Sequence, residues 1–257
     1  MTSRIQQLFA HKKKNILNVY CTAGFPRLDS TLSVIKALVK GNADIIEIGI
    51  PYSDPVADGP IIQASGSKSL ENGMNIPELF AQLENLREEV QVPVILMGYM
   101  NPVLQFGFEK FCEAASRTGI DGFIIPDLPI HEFDMEYGPM IRKFDLDFIF
   151  LVTPETSIER IRKLDELSSG FLYAVSSSST TGNDKNLDDQ MSYFRKLQEM
   201  HLKNPVLIGF GIKDKQSFDI ACSNAQGAII GSAYINALGK TDNIEEATKE
   251  FLESILN

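Results

Sequence analysis

At 257 residues and 44% apolar composition, the chain can bury a full core, and barrels commonly reach this size as one domain. A formal net charge of −10 argues against nucleic-acid binding, which needs a basic stripe; the single basic cluster, Lys12-Lys13-Lys14, reads as a solvated helix end. Three scattered cysteines, Cys21, Cys112 and Cys222, fit inert core positions in a reducing cytosol rather than a disulfide framework. Three histidines, His11, His131 and His201, have no metal-ligand spacing. The polar start, Met1 to Gln7, does not read as a signal peptide, and no apolar run reaches the length of a membrane span. A cytoplasmic protein is expected.

Along the chain, short β-branched runs alternate with longer amphipathic segments. A helix over Arg4–Lys13 comes first. Strands are predicted at Ile16–Thr22, Ile45–Ile50, Val92–Tyr99, Gly122–Pro126, Phe148–Thr153, Phe171–Ser176, Pro205–Gly211 and Gly227–Gly231. The predicted helices are Asp29–Lys40 (Asp29 as N-cap), Ile76–Val90, Phe108–Thr118, Phe133–Phe144, Ile158–Leu167, Asp188–Met200, Lys215–Ser223 and Ile244–Ile255. Strand–helix alternation implies βαβ units and a parallel sheet. Eight such units with no dividing linker predict an α/β fold: one (β/α)8 TIM barrel over residues 1–257 with an extra N-terminal helix. The competing doubly wound sheet would carry a Gly-rich turn after its first strand; Ala23-Gly24-Phe25-Pro26 is not that fingerprint.

The second strand, Ile45-Ile46-Glu47-Ile48-Gly49-Ile50, places a carboxylate in an apolar run. Burying it ionised and unpaired is costly, so such a residue either has a polar partner or serves in proton transfer. Strand alternation puts Glu47 on the face of Ile45 and Gly49. Asp58 follows in the loop leaving the same strand, and active sites of this fold sit at the strands' C-terminal ends. Both carboxylates can therefore serve one pocket.

Two late segments read as anion cradles: Gly209-Phe210-Gly211-Ile212 after strand seven, and Gly231-Ser232 after strand eight, before the short helical stretch Ala233–Leu238. Barrels often hold phosphate there, on free N–H groups and a helix N-terminus. Each segment alone could equally be a tight turn. Gly182, in the Ser/Thr/Gly-rich segment that starts at Ser176, is a third candidate donor.

The run Glu47-Ile48-Gly49-Ile50-Pro51-Tyr52-Ser53-Asp54-Pro55-Val56-Ala57-Asp58-Gly59-Pro60 resembles the signature of the tryptophan synthase alpha subunit family. The resemblance spans the chain through Thr22-Ala23-Gly24, Met97-Gly98-Tyr99-Met100-Asn101-Pro102, Pro126-Asp127-Leu128-Pro129, Gly209-Phe210-Gly211-Ile212 and Gly231-Ser232. It implies a lyase of tryptophan biosynthesis that cleaves indole-3-glycerol phosphate to indole and glyceraldehyde 3-phosphate. The implied catalytic residues are Glu47 and Asp58; the implied phosphate-binding residues are Gly182, Gly211, Gly231 and Ser232. Tyr99, Asp127, Tyr173, Phe210 and Thr181 match positions that line or support the pocket. The resemblance also implies an α2β2 heterotetramer in which indole passes to a beta subunit. That partner carries pyridoxal phosphate, and this chain needs no cofactor. One departure stands out: Ser176–Gly182 reads Ser-Ser-Ser-Ser-Thr-Thr-Gly, where family members carry an Arg-x-Gly-Val run.

Three other readings compete. A Schiff-base aldolase needs a lysine near a strand's C-terminal end; Lys213 is the closest. A relative of the indole-glycerol-phosphate synthases or phosphoribosyl isomerases would share the phosphate site but leave Glu47–Pro60 unexplained. A non-catalytic barrel that only activates the beta subunit would use Tyr52–Val56 and Asn101-Pro102-Val103 as interface. Asp54 is the candidate for communication between subunits, or else a turn residue before Pro55.

Overall fold

Parallel strand pairing organises this computed structural model, which describes residues 2–175, 187–209 and 211–257 (of 187–189, the backbone only). The strands are β1 (Ile16–Thr22), β2 (Ile45–Gly49), β3 (Val94–Met97), β4 (Gly122–Ile124), β5 (Asp147–Phe148), β6 (Phe150–Val152), β7 (Leu172–Val175), β8 (Val206–Gly209) and β9 (Gly227–Ile230). They pair in the order β5-β4-β3-β2-β1-β9-β8-β7-β6. Only Ile149 separates β5 from β6, and its N–H still reaches Phe123 O at 2.9 Å on β4. The two are halves of one strand, so the ends of the order meet and the sheet closes as an eight-stranded barrel.

Period-two alternation divides the strand residues between two cores. The inner one stacks Ile16, Ile45, Ile95, Ile124, Ile149, Phe171, Leu207 and Ile229, one from each barrel strand or its edge. Helix α1 (Arg4–His11) closes the bottom with Ile5 and Phe9, the Phe9 ring 6.1 Å from Phe171. The outer core sets Val19, Cys21, Ile46 and Ile48 among helix residues such as Val34, Ile35 and Leu38 of α2 (Thr31–Lys40). All three cysteines are free and buried. The basic cluster is taken up at the end of α1: Lys12 Nζ pairs with Asp44 at 2.6 Å, and Lys13 Nζ donates to Phe9 O.

The remaining helices are α3 (Pro60–Glu71), α4 (Ile76–Gln82), α5 (Leu86–Glu89), α6 (Met100–Phe106), α7 (Phe108–Thr118), α8 (Ile130–Glu132), α9 (Gly138–Lys143), α10 (Ile158–Leu167), α11 (Leu187–Glu199), α12 (Lys215–Asn224), α13 (Ser232–Leu238) and α14 (Ile244–Leu256). Four expectations are corrected. Asp29 is not an N-cap: it lies in a 3-10 turn, Leu28–Ser30, and α2 starts at Thr31 with no side-chain cap. Ile76–Val90 is two helices, because i→i+3 bonds such as Glu84 N–H to Ala81 O tighten the chain between them. Phe133–Phe144 opens as a π turn, with Gly138 N–H donating to Phe133 O. Pro139 has no N–H to continue an α ladder there. The strand over Val92–Tyr99 is shorter, Val94–Met97.

Candidate active site

Glu47 projects from the middle of β2 into the barrel. Its register partners are Tyr20 on β1 and Ile95 on β3. It is fully buried, and Asn18 Nδ2 donates to its Oε1 at 2.5 Å. Its Oε2 has no partner among the described residues. The amide therefore satisfies one oxygen and leaves the other free. Burial pushes the Glu47 carboxyl up to about 8, with the Asn18 hydrogen bond pulling the other way.

Glycine shapes the space beside it. A Cβ at Gly49 would lie 1.9 Å from the Tyr20 hydroxyl, and one at Gly209 would lie 2.4 Å from the Tyr173 hydroxyl. Two phenols thus occupy the barrel mouth only because β2 and β8 carry no side chain at those points. Burial, then the charges of Asp58 and Glu47, push the Tyr20 phenol up; burial, then Glu47 and Asp58, do the same for Tyr173.

Asp58 sits in the loop between β2 and α3. Tyr99 donates its hydroxyl proton to Asp58 Oδ2 at 2.9 Å, while the Tyr99 hydroxyl oxygen accepts the Ala57 N–H at 3.0 Å. Burial raises the Asp58 carboxyl, and the Tyr99 bond opposes that rise. Gln63, in the first turn of α3, donates to Asp58 O at 2.8 Å and ties the loop to the helix. Tyr99 is itself held by the Tyr52 ring, 5.5 Å away between centroids. Asn101 Nδ2 bonds the Tyr52 hydroxyl at 2.9 Å. Asp127 does not line the cavity; its two oxygens accept the Met100 N–H at 3.0 and 3.2 Å and fix the start of α6.

A cavity of about 330 Å³ opens over these groups. Asp58, Tyr20, Tyr173, Met97, Ile61 and Ile229 line one part, and Gly211, Lys213, Gly231, Ser232 and Asn236 another. Gly231 is the N-cap of α13, whose first N–H groups have no intrahelical acceptor. Gly211 has φ +77°, a conformation that glycine adopts freely. The free N–H groups at the start of α13 and the Asp58 carboxyl therefore border one chamber. Glu47 is not among the described residues on its wall; its charge acts on Tyr20 and Tyr173, which are. Gly182, Thr181 and Phe210, and the departure over Ser176–Gly182, lie outside the described residues. Asp54 is exposed on the loop, its Oδ2 accepting from Ser53 Oγ at 2.5 Å. Sequence reasoning missed Asn18 and Tyr20. Their signal was present: polar positions two apart on the first strand share the inward face.

The model of the family described as Tryptophan synthase alpha chain matches residues 6–256. A tryptophan synthase alpha chain from Phocaeicola vulgatus is 49% identical over 257 residues, covering 99% of this chain and 100% of its own length. Among solved structures, tryptophan synthase subunit alpha from Legionella pneumophila superposes with a TM-score of 0.89 at 32% identity, over 99% of this chain and 97% of that one. A chain of a tryptophan synthase complex from Pyrococcus furiosus gives 0.86 at 32% identity, over 95% and 99%. This chain belongs to the tryptophan synthase alpha chain family.

Proposed function

We propose that the site cleaves indole-3-glycerol phosphate to indole and glyceraldehyde 3-phosphate by a retro-aldol reaction, with Glu47 and Asp58 as the catalytic residues. One observation supports this reading: Asp58 lines a chamber shared with the free N–H groups of Gly231 and α13, while Glu47, on the strand leading into the Asp58 loop, is fully buried in an unlike environment. Glu47 is fully buried and holds its proton to about pH 8. Burial raises Asp58 too, but it is less buried than Glu47 and the Tyr99 hydrogen bond opposes that rise. Such a split lets one carboxyl transfer protons while the other stabilises charge.

The indole C3 must gain a proton before the C3–C3′ bond breaks, and the C3′ hydroxyl must lose one. Glu47 performs both transfers. Asp58 accepts a hydrogen bond from the indole N–H and stabilises the positive charge that grows on that nitrogen. Gly211, Gly231 and Ser232 hold the phosphate on backbone N–H groups and the α13 N-terminus; Gly182, outside the described residues, is added by the family resemblance alone. Tyr99 fixes Asp58, Asp127 fixes the Tyr99 loop, and Tyr173 lines the pocket; Phe210 and Thr181, outside the described residues, are assigned to it by the family resemblance alone.

Indole then passes to a beta subunit within an α2β2 assembly. The loop carrying Tyr52, Asp54 and Val56, together with Asn101 and Leu104, is the surface proposed to meet it; Val56 and Leu104 are exposed apolar residues there. Asp54 is the proposed communication residue. Pyridoxal phosphate is assigned to the partner, and the cleavage proposed for this chain uses its own side chains. No helix of the described residues is long and apolar enough to cross a membrane; with three free cysteines, a reducing cytoplasm is the proposed setting. The test is indole release from indole-3-glycerol phosphate by the isolated chain, then with a beta subunit added. Slow release that accelerates with the partner is expected. Activation of the partner with no cleavage in either condition would favour a binding-only barrel.

A further inference from the structure

Asn18 and Glu47 form an isolated polar pair on the inner wall of the barrel, both fully buried. One hydrogen bond joins them, Nδ2 to Oε1 at 2.5 Å. Each partner keeps one buried polar atom unpaired among the described residues, Asn18 Oδ1 and Glu47 Oε2. Buried polar atoms are rarely left so, because an unpaired one has lost water and gained nothing. An amide and a carboxyl are both flat groups with two polar atoms. When N–H···O joins one end, the other ends are an acceptor carbonyl and an oxygen that donates once protonated. A single proton on Oε2 therefore satisfies both atoms.

We propose that Asn18 is a positioning residue that holds Glu47 in its protonated form as a two-point amide–acid pair, Nδ2–H to Oε1 and Oε2–H to Oδ1, and so stores the proton that cleavage delivers. This rests on the reaction proposed above. The surroundings agree. Burial raises Glu47's proton affinity and the Nδ2 donation to Oε1 opposes that rise; the second bond, Oε2–H to Oδ1, exists only in the protonated form and works in the direction of burial. The titratable groups that sense its charge are Tyr20 and Cys21 from β1 and Tyr173 from β7, all pushed up by burial and neutral at pH 7; Asp58, from the loop after β2, acts on the same two tyrosines. The cycle balances. The Oε2 proton passes to indole C3, the C3–C3′ electron pair returns to the ring, and the C3′ hydroxyl proton passes to the Glu47 carboxylate. Glu47 ends each turnover protonated, and Asn18 takes it back.

The test combines infrared spectroscopy with kinetics. Wild type should show a carboxylic-acid carbonyl band near neutral pH that disappears in Glu47→Gln. Asn18→Leu keeps the side-chain shape without its polar atoms. It should move that band to higher frequency and lower kcat for indole release by about 10²-fold, the scale of a misplaced catalytic group, with KM nearly unchanged. Asn18→Asp, which as a neutral acid can still donate and accept, should retain activity at acidic pH and lose it as pH rises. If Asn18→Leu does not fold, Asn18→Asp carries the test through that pH dependence. An unmoved band with wild-type kcat in folded Asn18→Leu overturns the proposal, as does a wild type with no Glu47-dependent carbonyl band. A purely structural Asn18 would change thermal stability and leave the band in place, which also overturns it. The infrared readout needs no substrate, so a wild type that releases no indole would overturn the functional reading separately.

Discussion

The Tyr99 hydroxyl joins Asp58 Oδ2 at 2.9 Å and the Ala57 N–H at 3.0 Å, so one phenol sets both the loop backbone and its carboxylate. Hydrogen bonds to charged groups contribute about 1.5–3 kcal/mol. Tyr99→Phe should lower kcat/KM for indole release by about 10- to 100-fold. Steady-state kinetics check this, and an unchanged kcat/KM would place Asp58 under some other control.

Asp58→Asn keeps the shape and removes the charge proposed to face the indole nitrogen. Cleavage should fall by about 10²–10³-fold, the scale of losing one electrostatic contact to a transition state. Glycerol phosphate affinity, measured by calorimetry, should hold. A large loss of that affinity would mean that Asp58 shapes the chamber.

Lys213 is the cation that lines the cavity beside Gly211 and Ser232 among the described residues. Being exposed, it acts through screened attraction. Lys213→Met should raise KM severalfold with little change in kcat, and added salt should narrow the difference. A collapse of kcat instead, with borohydride trapping of the wild type, would revive the Schiff-base reading.

Glycine at β2 is a packing requirement. Gly49→Ala drives a methyl into the Tyr20 ring and hydroxyl and should destabilise by about 1–3 kcal/mol. Gly66, inside α3, has open space where a Cβ would go, so Gly66→Ala should stabilise by about 0.5–1 kcal/mol. Urea unfolding of both variants checks the opposite signs.

Much of this was legible in the sequence. Strand alternation placed Glu47 inward beside Ile45 and Gly49, and β-branched runs marked every barrel strand. Two helices were not legible, for physical reasons. The buried face of α3 is Ser65, Gly66 and Ser69, small residues that give no apolar periodicity. Helix α6 begins on the Asp127 carboxylate, a residue far along the chain. The Asn18–Glu47 and Tyr99–Asp58 pairs are likewise contacts between separate strands and loops, which a single sequence does not connect.

The Glu47 carboxyl gives stability a pH slope. Between its ordinary value of 4.5 and about 8, the folded chain keeps a proton that the unfolded chain releases. Stability therefore falls with rising pH across that window and levels off beyond it. Asp58 and Asp147, also raised by burial, add slopes of the same sign. Glu47→Gln should flatten its own share, so denaturation midpoints of the two proteins should diverge as pH rises from about 5 to 8. Parallel curves would contradict the raised carboxyl.

Indole release by Glu47→Gln, measured beside wild type, decides whether Glu47 carries the proton transfers. The variant should keep the fold and the glycerol phosphate affinity of wild type, with cleavage lower by about 10²–10⁴-fold, the scale of general acid–base catalysis. A folded Glu47→Gln chain that releases indole at a near-wild-type rate would contradict that role.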